Sequence, residues 1–246
     1  MGTLSKIMQI LKPFEWGNDE ITKFIDTTNE NSLATFANLK PEFQKLIEID
    51  KLFHIAKDCA QNSKEYFPAL FILKSHSAFL ATVKLAIGTQ TVESYMTMRG
   101  ILECSLYGYN IYKNRDLAET WLKRDESPEF KQEVKDRFAI GEIFRQLKSE
   151  DESLQDKAKS LYDTTIQYGG HPNEKSLSTV LKIDRADGKI TFNVHYLTGD
   201  INVIKLSLVL LARVGVIALM ISEKILAERF KIIGLSDKIK AASIGL

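Results

Sequence analysis

The chain has 246 residues, of which 44% are hydrophobic and 26% are charged, and this composition excludes an intrinsically disordered protein. Lysine and arginine total 33 against 32 aspartates and glutamates, which gives a formal net charge of +1. A near-neutral chain has no overall field that steers it toward nucleic acid or anionic lipid. Charge therefore favours no class of partner and leaves a nucleic-acid partner open as an alternative.

The spacing of apolar residues, broken by proline and glycine, predicts a mainly α fold. We expect a multi-helix bundle with one β-hairpin inserted before a long apolar C-terminal helix. Residues 1–246 are predicted to form a single helical domain, in which residues 1–40 are an N-terminal helical appendage. The predicted helices cover residues 18–29, 41–61, 68–88, 91–113, 116–124, 128–148 and 153–168.

The hairpin is predicted over residues 179–196. Apolar residues alternate with polar ones from Ile190 to Tyr196, and Asp187-Gly188, which is typical of a tight hairpin turn, precedes them. A lone hairpin is marginally stable in water. We therefore expect its apolar face to pack on the helices or on a second copy of the chain.

The segment 202–227 is the most apolar part of the chain. Lys205 and Arg213 interrupt it, and its longest uncharged run, Val214–Ser222, is shorter than a membrane span requires. It is predicted to be a buried core helix or a subunit-interface helix, with no membrane association, and a homodimer is expected through this helix or the hairpin. Because residues 1–12 lack the apolar run of a signal peptide, a cytoplasmic location is predicted.

Cysteine usage in this chain favours no bound group. The two cysteines, Cys59 and Cys104, have no metal-ligand spacing around them. Two cysteines are too few for a disulfide framework, so both are expected to be reduced thiols. Glycine-rich phosphate loops and dinucleotide fingerprints are also missing from the sequence. No cofactor and no metal site are predicted.

The helix predicted over residues 92–112 carries Arg99 and Glu103 one turn apart among apolar residues. Since this helix has no polar face, we expect it to run through the middle of the bundle with a buried ion pair. The pair either ties the helix to its neighbours or lines a pocket for a polar, small anionic ligand. On the opposite side, Gly100 and Gly108 are expected to permit close backbone approach.

Two further polar residues lie on apolar stripes of their helices. His76 is interpreted either as a core residue with a hydrogen-bond partner or as a member of a central polar cluster. Arg213 is predicted to be buried, with Glu103 as its carboxylate partner. Either residue would extend the site around Arg99.

Gly169-Gly170 ends a predicted helix, and Pro172 holds the preceding His171 out of the α region. The segment is either a helix stop with an incidental imidazole or a loop that presents His171 as an acid–base group. The predicted polar site comprises Arg99, Glu103, His171, His76, Arg213 and Asn173.

The Arg-x-x-x-Glu sequence at Arg99–Glu103, the segment Asp116–Leu122 and the later Gly170–Asn173 loop together resemble bacterial all-helical families of unknown function, which are distantly HEPN-like. The resemblance covers residues 66–173 and implies a nucleotide- or RNA-acting enzyme, or a defence-associated module, that uses Arg99, Glu103 and His171. The chain departs from the HEPN ribonuclease pattern, because no histidine closely follows an arginine on the same helix.

The residues themselves support the leading hypothesis, to which the HEPN-like function is the alternative. The leading hypothesis describes a non-enzymatic homodimer with a polar or ligand site around Arg99 and Glu103. Whether the chain is an enzyme is left open between the two.

Overall fold

A computed structural model describes residues 12–13, 15–170, 181–186, 189–194 and 196–246, with side chains given outside 182–194. Eleven α-helices and two β-strands lie within these residues. The helices are α1 Glu20–Asn38, α2 Lys40–Ala60, α3 Tyr66–Ile87, α4 Thr91–Lys113, α5 Leu117–Leu122, α6 Pro128–Arg137, α7 Ile140–Glu150, α8 Glu152–Thr165, α9 Ile201–Glu223, α10 Ala227–Ile232 and α11 Leu235–Ala242. A π-helical turn, Ile166–Gly170, follows α8, and the strands are β1 Leu181–Ala186 and β2 Lys189–Val194.

The predicted fold class needs correction, because the packed body of the protein is all-helical. β1 and β2 pair antiparallel with each other, with Leu181 opposite Val194, and neither strand joins a larger sheet. Within the described ranges, β1 and β2 make their extensive contacts with each other, and all other extensive contacts run from helix to helix. Mainly α is right, but the fold class with one β-hairpin inserted before the C-terminal helix is wrong. The predicted packing of the hairpin's apolar face concerns side chains outside the described residues.

The core forms where α4 lies between α3 and α9. Helix α9 also packs against α2 and α3, and 14 of its 23 residues are buried. Phe53, Phe79, Leu102 and Leu211, each from a different one of these four helices, have no exposed surface. Burying large apolar side chains from several helices in one cluster is the main favourable contribution to folding.

Helices α6 and α7 replace the single helix predicted over residues 128–148. The break lies at Phe138 and Ala139, where Ala139 has extended backbone angles. The buried ring of Phe138 lies 4.9 Å from that of Trp121 and 5.1 Å from that of Tyr107, in a small cluster apart from the main core. Packing of Phe138 in this cluster accounts for the break, since helix propensity is a weak preference that tertiary contacts override.

Two helices, α3 and α9, are long and apolar enough to cross a membrane by length and composition alone. Core helices pass the same test, and 72% of the most apolar window of α9 is buried inside the protein. The corresponding fraction for α3 is 33%. The apolar surface of α9 is therefore largely covered within one copy of the chain, which removes the reason for expecting dimerisation through that helix.

Candidate functional site

Arg99 and Glu103 form the predicted ion pair on α4. The Nε atom of Arg99 donates to Oε1 of Glu103 at 2.7 Å, and each side chain keeps 28% of its surface exposed. The hydroxyl of Tyr162, on α8, donates to the same Glu103 oxygen at 2.9 Å. The guanidinium of Arg99 lies 5.4 Å from the centre of the Tyr162 ring. The pair is thus half-buried at the α4–α8 contact. The prediction that it lies deep inside the helical body is wrong.

Electrostatics hold this network in one protonation state. Burial raises the pKa of Tyr162 to about 12, and the negative charge of Glu103 adds to the rise. Burial acts against the charge of Arg99, but the hydrogen bond and charge of Glu103 outweigh it, so the pKa of Arg99 is raised. Around neutral pH the phenol keeps its proton and the guanidinium keeps its charge. Tyr162 and Arg99 consequently fit a structural tie between α4 and α8 better than acid–base roles.

His76 lies on α3 and faces α2, where its imidazole pairs with Asp50. Its Nε2 atom lies 2.7 Å from Oδ1 of Asp50, and its ring stacks on Phe53 with 5.1 Å between centroids. His54, one turn after Asp50, places its own Nε2 3.7 Å from the other carboxylate oxygen. One nitrogen or oxygen atom from each residue of this triad lies within 4.8 Å of those of the other two.

Arg213 is exposed and does not pair with Glu103. It sits with Asn202, Leu206 and Met220 on the least buried face of α9. Among the described residues it has no hydrogen bond or ion pair. The prediction of a buried Arg213 is wrong because α9 is apolar on nearly all sides, so an apolar stripe did not identify its inner face.

A groove of about 560 Å³ opens beside Arg213, between α8, α9 and the segment that follows α11. This volume lies within the usual range for sites that bind small molecules. Its lining residues are Asp156, Lys157, Ser160, Leu161, Arg213, Val216, Ile217, Met220, Ser243 and Leu246.

The predicted site residues are therefore divided among three places. Arg99 and Glu103 lie together, whereas His76 and Arg213 lie elsewhere on the helical body. His171 and Asn173 lie outside the described residues.

No family model, curated protein or solved structure matches the chain. The resemblance to bacterial helical families and to HEPN domains stays a prediction.

The sequence did not single out Tyr162, Asp50 or His54. The spacing of Asp50 and His54, four residues apart on a predicted helix, was a usable signal, since such residues share a helix face. Tyr162 offered no such signal. It approaches Glu103 across a separation of 59 residues, which only the packing of α8 on α4 brings about.

Proposed function

We propose that this protein is a cytoplasmic, non-enzymatic binding protein whose ligand is a small organic anion with an apolar body. The single observation that carries the proposal is an exposed arginine, Arg213, beside an apolar groove, with no hydrogen bond or ion pair to the part of the chain that the structure describes. The ligand site lies around Arg213, and the Arg99–Glu103 pair serves as a structural tie.

The wall of the groove suits the apolar part of such a ligand. Val216 and Ile217 are buried at its base, and Leu161 and Met220 are half-buried along its sides. Methionine side chains adapt to ligands of different shapes because they are unbranched and polarisable. An apolar surface with few polar groups is typical of small-molecule sites.

The charges at the rim suit the anionic part. Among the side chains at the rim, Arg213 and Lys157 carry positive charges and Asp156 carries a negative one. A guanidinium recognises carboxylate, sulfonate and phosphate groups through two parallel hydrogen bonds. Ser160 adds a hydroxyl on the same side of α8 as Lys157. The groove therefore has an apolar surface for a ring or chain and a cationic end for its acid group.

The test uses the fluorescent probe 8-anilinonaphthalene-1-sulfonate, which joins an apolar ring system to an anion. We expect saturable binding by the wild-type chain and an affinity about fivefold weaker in Arg213→Gln. A charged hydrogen bond contributes about 1.5–3 kcal/mol, and solvent screening at this exposed site reduces that value to roughly 1 kcal/mol. Added salt should also weaken binding of the anionic probe to the wild-type chain, because it screens the charge of Arg213.

Two controls isolate the charge contributed by Arg213. Arg145, an exposed arginine on α7 that pairs with Glu142, is replaced by glutamine in the matched variant, which should bind the probe as the wild type does. The neutral probe N-phenyl-1-naphthylamine has the same rings without the sulfonate and should not distinguish Arg213→Gln from the wild type. Equal affinities of Arg213→Gln and Arg145→Gln for the anionic probe contradict the proposal.

We also propose that the homodimer forms through the outer face of α3. Tyr66, Leu70, Leu73 and Leu80, which we call the α3 stripe, lie on one side of this helix and are 37–66% exposed. From Leu70 to Leu80 the stripe extends about 15 Å. A two-fold axis places the same patch on both subunits, so a second copy offers a matching apolar surface. Lys84, in line with the stripe, hydrogen-bonds Asn29 and disfavours insertion into lipid.

Light scattering coupled to size-exclusion chromatography tests this interface. We expect a particle of twice the 27.9 kDa chain mass, and a shift toward the monomer in Leu73→Lys because a charge would face its own copy across the axis. The matched variant Leu206→Lys changes an exposed leucine on α9 and should stay dimeric. A wild-type monomer at micromolar concentration would contradict the proposed interface, and so would a monomer that sediments with phosphatidylcholine vesicles.

A further inference from the structure

A triad of Asp50, His54 and His76 lies where α2 crosses α3. The two histidines present their Nε2 atoms to the same carboxylate, His76 to Oδ1 at 2.7 Å and His54 to Oδ2 at 3.7 Å. The nitrogen and oxygen atoms fall within 4.8 Å of one another. One ion placed between them is within reach of a ligand atom from each residue after small side-chain shifts.

Neighbouring rings hold the triad in place. The imidazole of His76 lies nearly parallel to the ring of Phe53, with an interplanar angle of 9°, and the ring of His54 stands edge-on to it at 4.8 Å. His76 is buried while His54 is exposed. The triad therefore has one fixed inner side and one side open to solvent, through which an ion can enter.

We propose that Asp50, His54 and His76 bind one divalent transition-metal ion of the Zn²⁺ class. Two imidazoles and one carboxylate suit Zn²⁺ and its neighbours, whereas Ca²⁺ and Mg²⁺ prefer oxygen ligands throughout. Three protein ligands leave a fourth position for water in a tetrahedral site. On binding through Nε2 of His76, the ion takes the place of the His76–Asp50 hydrogen bond, and the neutral imidazole carries its single ring proton on Nδ1.

Lys57 provides a second test of the same geometry, in which the substitution is expected to strengthen metal binding instead of weakening it. Its Nζ atom lies 3.4 Å from Nδ1 of His54. An ion bound at Nε2 leaves the remaining ring proton on Nδ1, so the ammonium group must move away when the ion binds. Removing this cation in Lys57→Met is therefore expected to strengthen metal binding, an effect that a purely structural role of the triad does not produce.

The experiment is equilibrium dialysis of the untagged full chain against Zn²⁺, with bound metal quantified at each free concentration. We expect one equivalent per chain, with an affinity weakened about tenfold or more in His54→Gln, since loss of groups supporting a metal costs 10–100-fold. Asp58→Asn removes an exposed carboxylate two turns further along α2 and should leave the affinity unchanged. Lys57→Met should bind more tightly than the wild type.

Co²⁺ in place of Zn²⁺ gives a spectroscopic check, because its visible absorption reports the coordination geometry. We expect bands of a four-coordinate site in the wild type that are lost in His54→Gln. His76→Gln also removes the ring stacked on Phe53, so circular dichroism is used to check that this variant folds. The test is decided by His54→Gln, because His54 is exposed and its replacement leaves the core unchanged. Absence of saturable Zn²⁺ binding by the wild type, or equal affinity of His54→Gln and wild type, overturns the proposal.

Discussion

Replacing Leu211 with alanine is expected to lower the free energy of unfolding by about 2–5 kcal/mol. Leu211 has no exposed surface, and α9 packs on α2, α3 and α4 at once. Truncation removes apolar contacts and leaves a cavity that helices held on several sides do not close. Urea denaturation followed by circular dichroism measures the difference, with the slope of the transition checked for constancy.

The matched substitution is Leu206→Ala, on the same helix. Leu206 is 61% exposed, so its truncation is expected to change stability by no more than about 0.5 kcal/mol. The pair distinguishes the inner from the outer face of α9 without changing residue type. Similar losses at both positions would show that the helix is not seated in the core as described.

Gly108→Ala is expected to destabilise the protein by roughly 1–2 kcal/mol. A Cβ atom at Gly108 would lie 2.9 Å from both Cβ of Phe71 and the carbonyl oxygen of Pro68. Neither atom can be moved by rotating a flexible side chain, so α3 and α4 would have to separate. Overpacking of this kind costs about 1–3 kcal/mol, part of which is offset by the better helix propensity of alanine.

Gly100→Ala, two turns earlier on α4, should have the opposite sign. A Cβ at Gly100 meets nothing within 4 Å, so alanine adds helix propensity of up to about 1 kcal/mol without a clash. Thermal melts of both variants beside the wild type test the contrast. A melting temperature that rises in both variants would contradict the close approach of α3 to α4 at Gly108.

Local signals predicted the helices well where the chain itself provides the break. The helix predicted over residues 91–113 is observed as Thr91–Lys113, because the preceding Gly88-Thr89 turn ends α3 and Thr89 adopts a positive φ of 67° that continues no helix. The prediction of one continuous helix over residues 128–148 was wrong for a different reason. Its break at Phe138 depends on a cluster formed with Trp121 and Tyr107, which lie elsewhere in the chain.

The same distinction applies to the candidate site. Arg99 and Glu103 are four residues apart, so their contact follows from helix geometry and was predicted correctly. The burial of the pair depends on how α8 covers α4, and the prediction from the sequence overestimated that burial. Contacts such as that of His76 with Asp50 join different helices, and an apolar stripe carries no information on which helix it faces.

The prediction for small residues on α4 was half right for a related reason. Gly100 and Gly108 lie on neighbouring parts of the same helix surface, and both were expected to permit close approach. Of these two glycines, only Gly108 lies against the backbone of α3, at Pro68. A spacing of small residues indicates that helices can approach, but the crossing point depends on the whole packing arrangement.

Methyl-labelled NMR of the full chain, titrated with 8-anilinonaphthalene-1-sulfonate, tests the proposed ligand site most directly. The groove predicts that the methyl signals of Leu161, Ile217 and Met220 shift first and saturate together, and that Arg213→Gln weakens this response. The α3 stripe is a second exposed apolar surface that the probe can reach. Shifts confined to Leu70, Leu73 and Leu80, with the groove methyls unmoved, would contradict the account.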